Sequence, residues 1–211
     1  MVSNLREQTG GSMWWLTFLI GFFVLFFAVF FFPIISQFFV RGTNATDEVL
    51  ERVHSLDVLI PCHNEEGWLR ETLKSVYTSI RNANILFPDL LVNVSVGLDA
   101  CSDETVLDTH GFRLKVLTFS HKSKWKVLRS LVSASTSDWV ALVDAGTVWD
   151  PRLLRNCHPL FERSDNMCVA PRYQALNAGL VARAYWRLEA FLKCLENKSG
   201  GPVSVHGATV F

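Results

Sequence analysis

Apolar and polar positions along this chain fall into three regimes. The first is an unbroken apolar run: Met13 to Val40, 28 residues, carry no charge, and ten of them are Phe. At a rise of 1.5 Å per residue, about 20 apolar residues cross a bilayer core, so the run is long enough to span one. A cleavable signal peptide has a shorter apolar core, ~7–15 residues, and a small-residue cleavage site. Here Pro33 and the pair Phe38-Phe39 follow instead. The pattern predicts a retained transmembrane helix over residues 13–40, after an N-terminal tail at 1–12. Trp14 and Trp15 stand at one end, where indole rings favour the membrane interface. The second regime, residues 41–55, is polar and charged and reads as a juxtamembrane linker. The third, residues 56–211, is long enough for one domain with its own core.

In the third regime two periods alternate. "LDVLIP", Leu56 to Pro61, is a short apolar run closed by proline, which predicts a buried strand. Leu69, Leu73, Val76, Tyr77 and Ile80 then recur at helical spacing on one face. Asn64 is the expected N-cap of that helix, with Glu65 and Glu66 in its first turn. "LLVNVSVGLDA" predicts a second strand stopping at Asp99, and Leu114 to Phe119 a third. "KWKVLRSLVSAS" predicts a helix with Val127, Leu128, Leu131 and Val132 inward, and "WVALVDAG" a fourth strand ending at Asp144. Alternating strands and helices imply an α/β layered fold with a mainly parallel sheet. Ligands of such folds sit beyond the carboxyl ends of the strands. Pro61 to Glu65, Asp99 and Asp144 all fall at those ends.

Charge and cysteine content narrow the classes. Twenty basic and twenty acidic side chains leave no net charge, so nucleic acid is not the expected partner. The five cysteines are odd in number and form no CxxC pair, so they read as reduced thiols of a cytosolic domain rather than a zinc site. Arg6 precedes the apolar run and Arg41 and Arg52 follow it, which leans toward a cytosolic C-terminal side. The expected placement is a single-pass membrane protein with its domain on the cytosolic face.

Singly, the polar residues at the strand ends have ordinary readings. Asp99 to Asp103 suits a capped turn, His63 a hydrogen-bonded loop, Lys124 a solvated face, and Asp144 a strand-end cap. Their joint order is more specific. "LIPCHNEE" is similar to a strand-Pro-x-x-Asn-Glu opening, and "LDACSDET" to a strand ending in Asp-x-x-Ser-x-Asp-x-Thr. Lys124 opens a helix twenty residues before Asp144, with Ser123 before it in a glycine's place, and Asp150-Pro151 follows. "VHGATVF" looks like a later Gly-containing strand. In this order the chain from 56 to 211 resembles the family 2 glycosyltransferases of GT-A fold, which use nucleotide sugars.

The resemblance implies a set of roles. Asp99 would hydrogen-bond the nucleoside base; Pro61, His63 and Glu65 would line the nucleoside pocket; Asp103, Lys124 and Ala145 would complete donor binding. Asp144 would hold Mg²⁺ or Mn²⁺, hard cations that take carboxylate oxygens and bridge diphosphates. The ion, or cationic side chains, would neutralise the leaving nucleoside diphosphate. The chain departs from the pattern at Gly146, which stands where Asp-x-Asp has its second acid. The catalytic base is expected beyond Phe211, Asp165 and Glu189 coming too early, so the domain is expected to be C-terminally incomplete. The resemblance implies sugar transfer to a lipid-linked or polysaccharide acceptor at the membrane, with inversion. The competing expectation, motivated by Gly146, is a silent GT-A-like module that binds nucleotide or a membrane partner.

Overall fold

The computed structural model describes residues 14–27, 53–162, 168–174, 179–198 and 207–211. The chain divides into two compact units, Met1–Asn44 with Gln174–Val203, and Ala45–Tyr173 with Ser204–Phe211.

The second unit is built on one five-stranded sheet. Its strands are β1 (Ser55–Cys62), β2 (Leu91–Asp99), β3 (Lys115–Phe119), β4 (Trp139–Val143) and β5 (Thr209–Val210). Their order is β3-β2-β1-β4-β5. β1 to β4 are mutually parallel, and β5 runs antiparallel to β4. The mainly parallel α/β layering expected from the alternating periods is present. The chain fills one side of β1 with β2 and β3, then returns to its other side with β4. This reversal opens a crevice beyond the carboxyl ends of β1 and β4.

The strand pleat sorts the core into two faces. Leu56, Val58, Ile60 and Cys62 of β1 join one buried cluster; Leu59, one step out of phase, joins the other. The first cluster is closed by α2 (Trp68–Asn84) and α4 (Leu153–Phe161). α2 buries Leu69, Leu73, Val76 and Ile80, four of its five expected apolar positions. The fifth, Tyr77, is half-buried and donates its hydroxyl to the Arg113 carbonyl oxygen. The second cluster is thin. α3 (Lys124–Ser133) contributes Val127 and Leu131, which with Leu59 are its only fully buried members among the described residues. Leu128 is half-buried and Val132 is exposed, so two of the four inward positions expected for this helix are fully covered. Close approach of α3 to β2 requires Gly97: a Cβ there would lie 2.7 Å from Val127 Cγ1.

Polar side chains of α2 do structural work that its apolar pattern hides. Thr72 Oγ1 accepts the Gly146 N–H at 2.9 Å, Ser75 Oγ that of Trp149 at 3.0 Å, and Ser79 Oγ that of Leu154 at 3.0 Å. Three hydroxyls along one helix thus satisfy three backbone donors of the segment from β4 to α4.

The first unit contains two described helices, α1 (residues 14–27) and α5 (Leu180–Lys198). The transmembrane expectation is corrected here. Among the described residues no helix is long and apolar enough to cross a membrane. The described part of the apolar run, residues 14–27, is helical and covers about 21 Å at 1.5 Å per residue, less than a ~30 Å hydrocarbon core. α5 is longer, but Arg183, Arg187, Glu189, Lys193 and Glu196 interrupt its apolar positions. The single-pass anchor, and the cytosolic-face placement derived from it, are therefore not supported. Residues 28–40, and 41–52 of the expected linker, lie outside the described residues.

Candidate active site

Three strand ends build the site. β1 finishes with Pro61 and Cys62, and the chain turns through His63 and Asn64, the latter at φ 56°. His63 Nδ1 lies 2.6 Å from the Asp99 carbonyl oxygen at the end of β2. A carbonyl oxygen only accepts, so Nδ1 carries the hydrogen and Nε2 is left as an acceptor in neutral imidazole. Asn64 does not cap α2. Its Oδ1 accepts the Ser102 N–H at 2.8 Å and ties the β1 loop to the β2 loop. α2 begins later, at Trp68. Its entry is satisfied by the segment after β2: Thr105 Oγ1 accepts the Glu65 N–H at 2.8 Å, Asp103 Oδ2 the Glu66 N–H at 3.1 Å, and Asp108 Oδ2 the Gly67 N–H at 2.6 Å.

Asp99 is 3% exposed, and both carboxylate oxygens are engaged. Oδ1 accepts the Lys122 N–H at 2.9 Å and Oδ2 the Ser123 N–H at 2.7 Å. Burial alone would raise its pKa, but these backbone donors outweigh it and hold the carboxyl below the ordinary aspartate value. The charge thus fixes the turn before α3, where Lys122 adopts φ 50°. Each oxygen retains a second lone pair for a ligand N–H.

Lys124 opens α3, and its ammonium reaches Asp144 Oδ1 at 2.5 Å. Asp144 follows β4; its N–H donates to the Ala208 carbonyl oxygen at 3.0 Å, just before β5. Glu65 faces the same space. Burial, then the charges of Asp103 and Asp144, push its pKa up, while Lys124 and His63 pull it down.

These groups surround one cleft of about 330 Å³. Six of the seven residues expected to bind the donor line it: Pro61, His63, Glu65, Asp99, Lys124 and Ala145, together with the expected metal ligand Asp144. Asp103 does not; its oxygens are taken up by Thr105 and the α2 entry. Cys62, Lys122, Ser123 and Val127 also line the cleft and were not among the residues expected to bind the donor. Lys122 and Ser123 carry a usable signal, since they directly precede the motif lysine. Cys62 and Val127 carry none beyond position, and burial pushes the Cys62 thiol far above its ordinary pKa.

A divalent cation fits this residue set poorly. No group of three or more His, Cys, Asp or Glu able to hold a metal occurs among the described residues. Asp144 already has an ammonium on one oxygen. Gly146 sits at φ 84°, a left-handed conformation costly for most side chains, although a Cβ would meet nothing within 4 Å. At the motif itself the chain offers Asp144 alone, paired with Lys124, where Asp-x-Asp would offer two carboxylates.

Comparison with known proteins bears on the fold and the family. The solved mannosyltransferase PcManGT from Pyrobaculum calidifontis, in complex with GDP-Man and Mn²⁺, superposes with a TM-score of 0.62 at 17% identity, covering 89% of this chain and 54% of that one. S. aureus TarS 1-349 superposes with a TM-score of 0.51 at 18% identity, covering 59% of this chain and 37% of that one. Both likenesses show a shared GT-A-like fold, and the chain spans about half the length of the mannosyltransferase. No curated protein matches the chain. Residues 54–211 match the family model described as "Glycosyltransferase like family 2". That match covers most of the chain and all of the cleft, and the protein is a member of the glycosyltransferase-like family 2.

Proposed function

We propose that this chain carries the donor-binding part of a glycosyltransferase that moves a sugar from a nucleotide sugar to an acceptor hydroxyl. The observation that carries the reading is the convergence of His63, Asp99 and Asp144, from the ends of three parallel strands, and of Lys124, from the start of α3, on one cleft at the sheet's reversal point. Asp99 and the His63 ring supply acceptors for the N–H groups of a base. The lysines supply positive charge for a diphosphate. In the transfer, the bond from the anomeric carbon to the diphosphate oxygen breaks and its electron pair stays on the diphosphate. The acceptor oxygen bonds the anomeric carbon from the opposite face, and its proton passes to a base. Stabilising charge on the departing diphosphate is the task of the cleft's cationic groups. A lipid-linked or polysaccharide acceptor and inversion are carried forward from the family resemblance.

A second reading is favoured by one observation: Gly146 leaves the site without its second acid, as in a module that binds nucleotide without turnover. Titration of UDP and GDP in a calorimeter, followed by a hydrolysis or transfer assay with the matching nucleotide sugars, separates the two. The proposal expects binding of at least one nucleotide and release of its diphosphate from the sugar nucleotide. Binding without any release supports the silent module. Asp99→Ala is expected to weaken the nucleotide by about 1–3 kcal/mol, the loss of charge-assisted hydrogen bonds and of the turn they hold. Unchanged affinity in that variant would remove Asp99 from the site.

A further inference from the structure

The cation that Asp144 holds in this structure is a side chain. Lys124 Nζ lies 2.5 Å from Asp144 Oδ1, on the carboxylate that a divalent ion would need. The next acid of the pattern is replaced by Gly146, whose N–H is already given to Thr72 Oγ1. Asp99 is 3% exposed, and each of its oxygens already accepts one backbone N–H of the turn before α3. These donors anchor the turn so that Lys122 lines the same cleft as Lys124.

We propose that the diphosphate of the donor is held by Lys124, handed over from Asp144, and that donor binding needs no divalent ion. This rests on the donor-site reading above and assigns the groups that neutralise its charge. The Lys124–Asp144 pair has side-chain exposures of 58% and 37%, so water and salt screen it and breaking it costs little. A diphosphate carries more negative charge than one carboxylate and presents several oxygens, so the exchange favours the ligand. Asp144 then has a different role from a metal ligand. It keeps Lys124 turned into the cleft and competes with the incoming diphosphate. A metal-ligand Asp144 would strengthen diphosphate binding; a competing Asp144 weakens it.

Calorimetry with UDP and UMP, and with GDP and GMP, in EDTA and in Mn²⁺, tests this on the full chain and three variants, with thermal melting as the folding control. The full chain is expected to bind the diphosphate with the same affinity in EDTA and Mn²⁺. Lys124→Met is expected to weaken the diphosphate about tenfold and the monophosphate much less, the loss of one close charge contact. Asp144→Asn is expected to tighten diphosphate binding about threefold in EDTA, because a like charge is removed. Gly146→Asp is expected to create a Mn²⁺ dependence that the natural chain lacks. A tenfold or larger gain with Mn²⁺ in the natural chain, abolished by Asp144→Asn, would overturn the proposal. Diphosphate binding that Lys124→Met leaves unchanged would also overturn it, while leaving the donor site standing. No nucleotide binding under any condition would remove the donor site and the proposal together.

Discussion

At the scale of single residues, Asp99 both lines the cleft and holds the turn that leads into α3. Asp99 and Lys124 were identified by their place in a motif, and both line the cleft. That Asp99 spends both oxygens on the Lys122 and Ser123 amides depends on a turn 23 residues away, which no local pattern reports. His158 is the reverse case, a residue the sequence left unremarked. It is 4% exposed and stacks on Phe87 with centroids 4.0 Å apart. Burial holds its pKa below the ordinary histidine value, against the smaller pull of Glu162 and the Val53 backbone. The unfolded chain therefore binds a proton that the folded chain refuses. The neutral ring's contribution is complete above pH ~6.5 and is lost as pH falls below it, by up to ~1.4 kcal/mol per pH unit. Thermal melting between pH 7.5 and 5 is expected to show this slope, and His158→Phe, which keeps a ring in the stack, is expected to flatten it.

At the scale of elements, helical and strand periods located β1 to β4, α2 and α3, because each buries one face. They placed the start of α2 too early. Asn64 has the chemistry of an N-cap, yet the donors at the helix entry are satisfied by Thr105, Asp103 and Asp108, about 40 positions further along the chain. The hydroxyl row of α2 was missed for a related reason. Thr72 and Ser79 are fully buried, and their spacing places them on the inner face, where a polar residue signals a backbone partner elsewhere. Ser79→Ala would strand the Leu154 N–H at the start of α4 without its acceptor. Chemical denaturation is expected to show a loss of about 1–3 kcal/mol, the cost of an unpaired buried donor. Ser75→Ala, at a half-buried position, is expected to cost less.

At the scale of the whole molecule, the layered α/β class followed from alternation of periods, but the order of strands did not. Placing β4 beside β1 rather than β3 is a matter of which edges meet, and the same apolar runs permit other orders. The apolar run near the N-terminus led to an expected span, and no helix among the described residues is long and apolar enough to be one. The two sides of the sheet also differ in a way that bears on motion. α2 and α4 close a broad cluster, whereas α3 is secured by Val127 and Leu131 against Leu59. Elements with few buried contacts open at lower free energy than the rest of the fold. Amide hydrogens of α3 are therefore expected to exchange with deuterium well before those of α2, measured by mass spectrometry under native conditions. Lys124 rides on this helix, so the group we assign to the diphosphate is mounted on a loosely secured element. A bound nucleoside diphosphate would bridge α3 to the strand ends, and the slowing of exchange it brings should be concentrated in α3. The helix would then report occupancy of the cleft in a measurement that requires neither acceptor nor turnover.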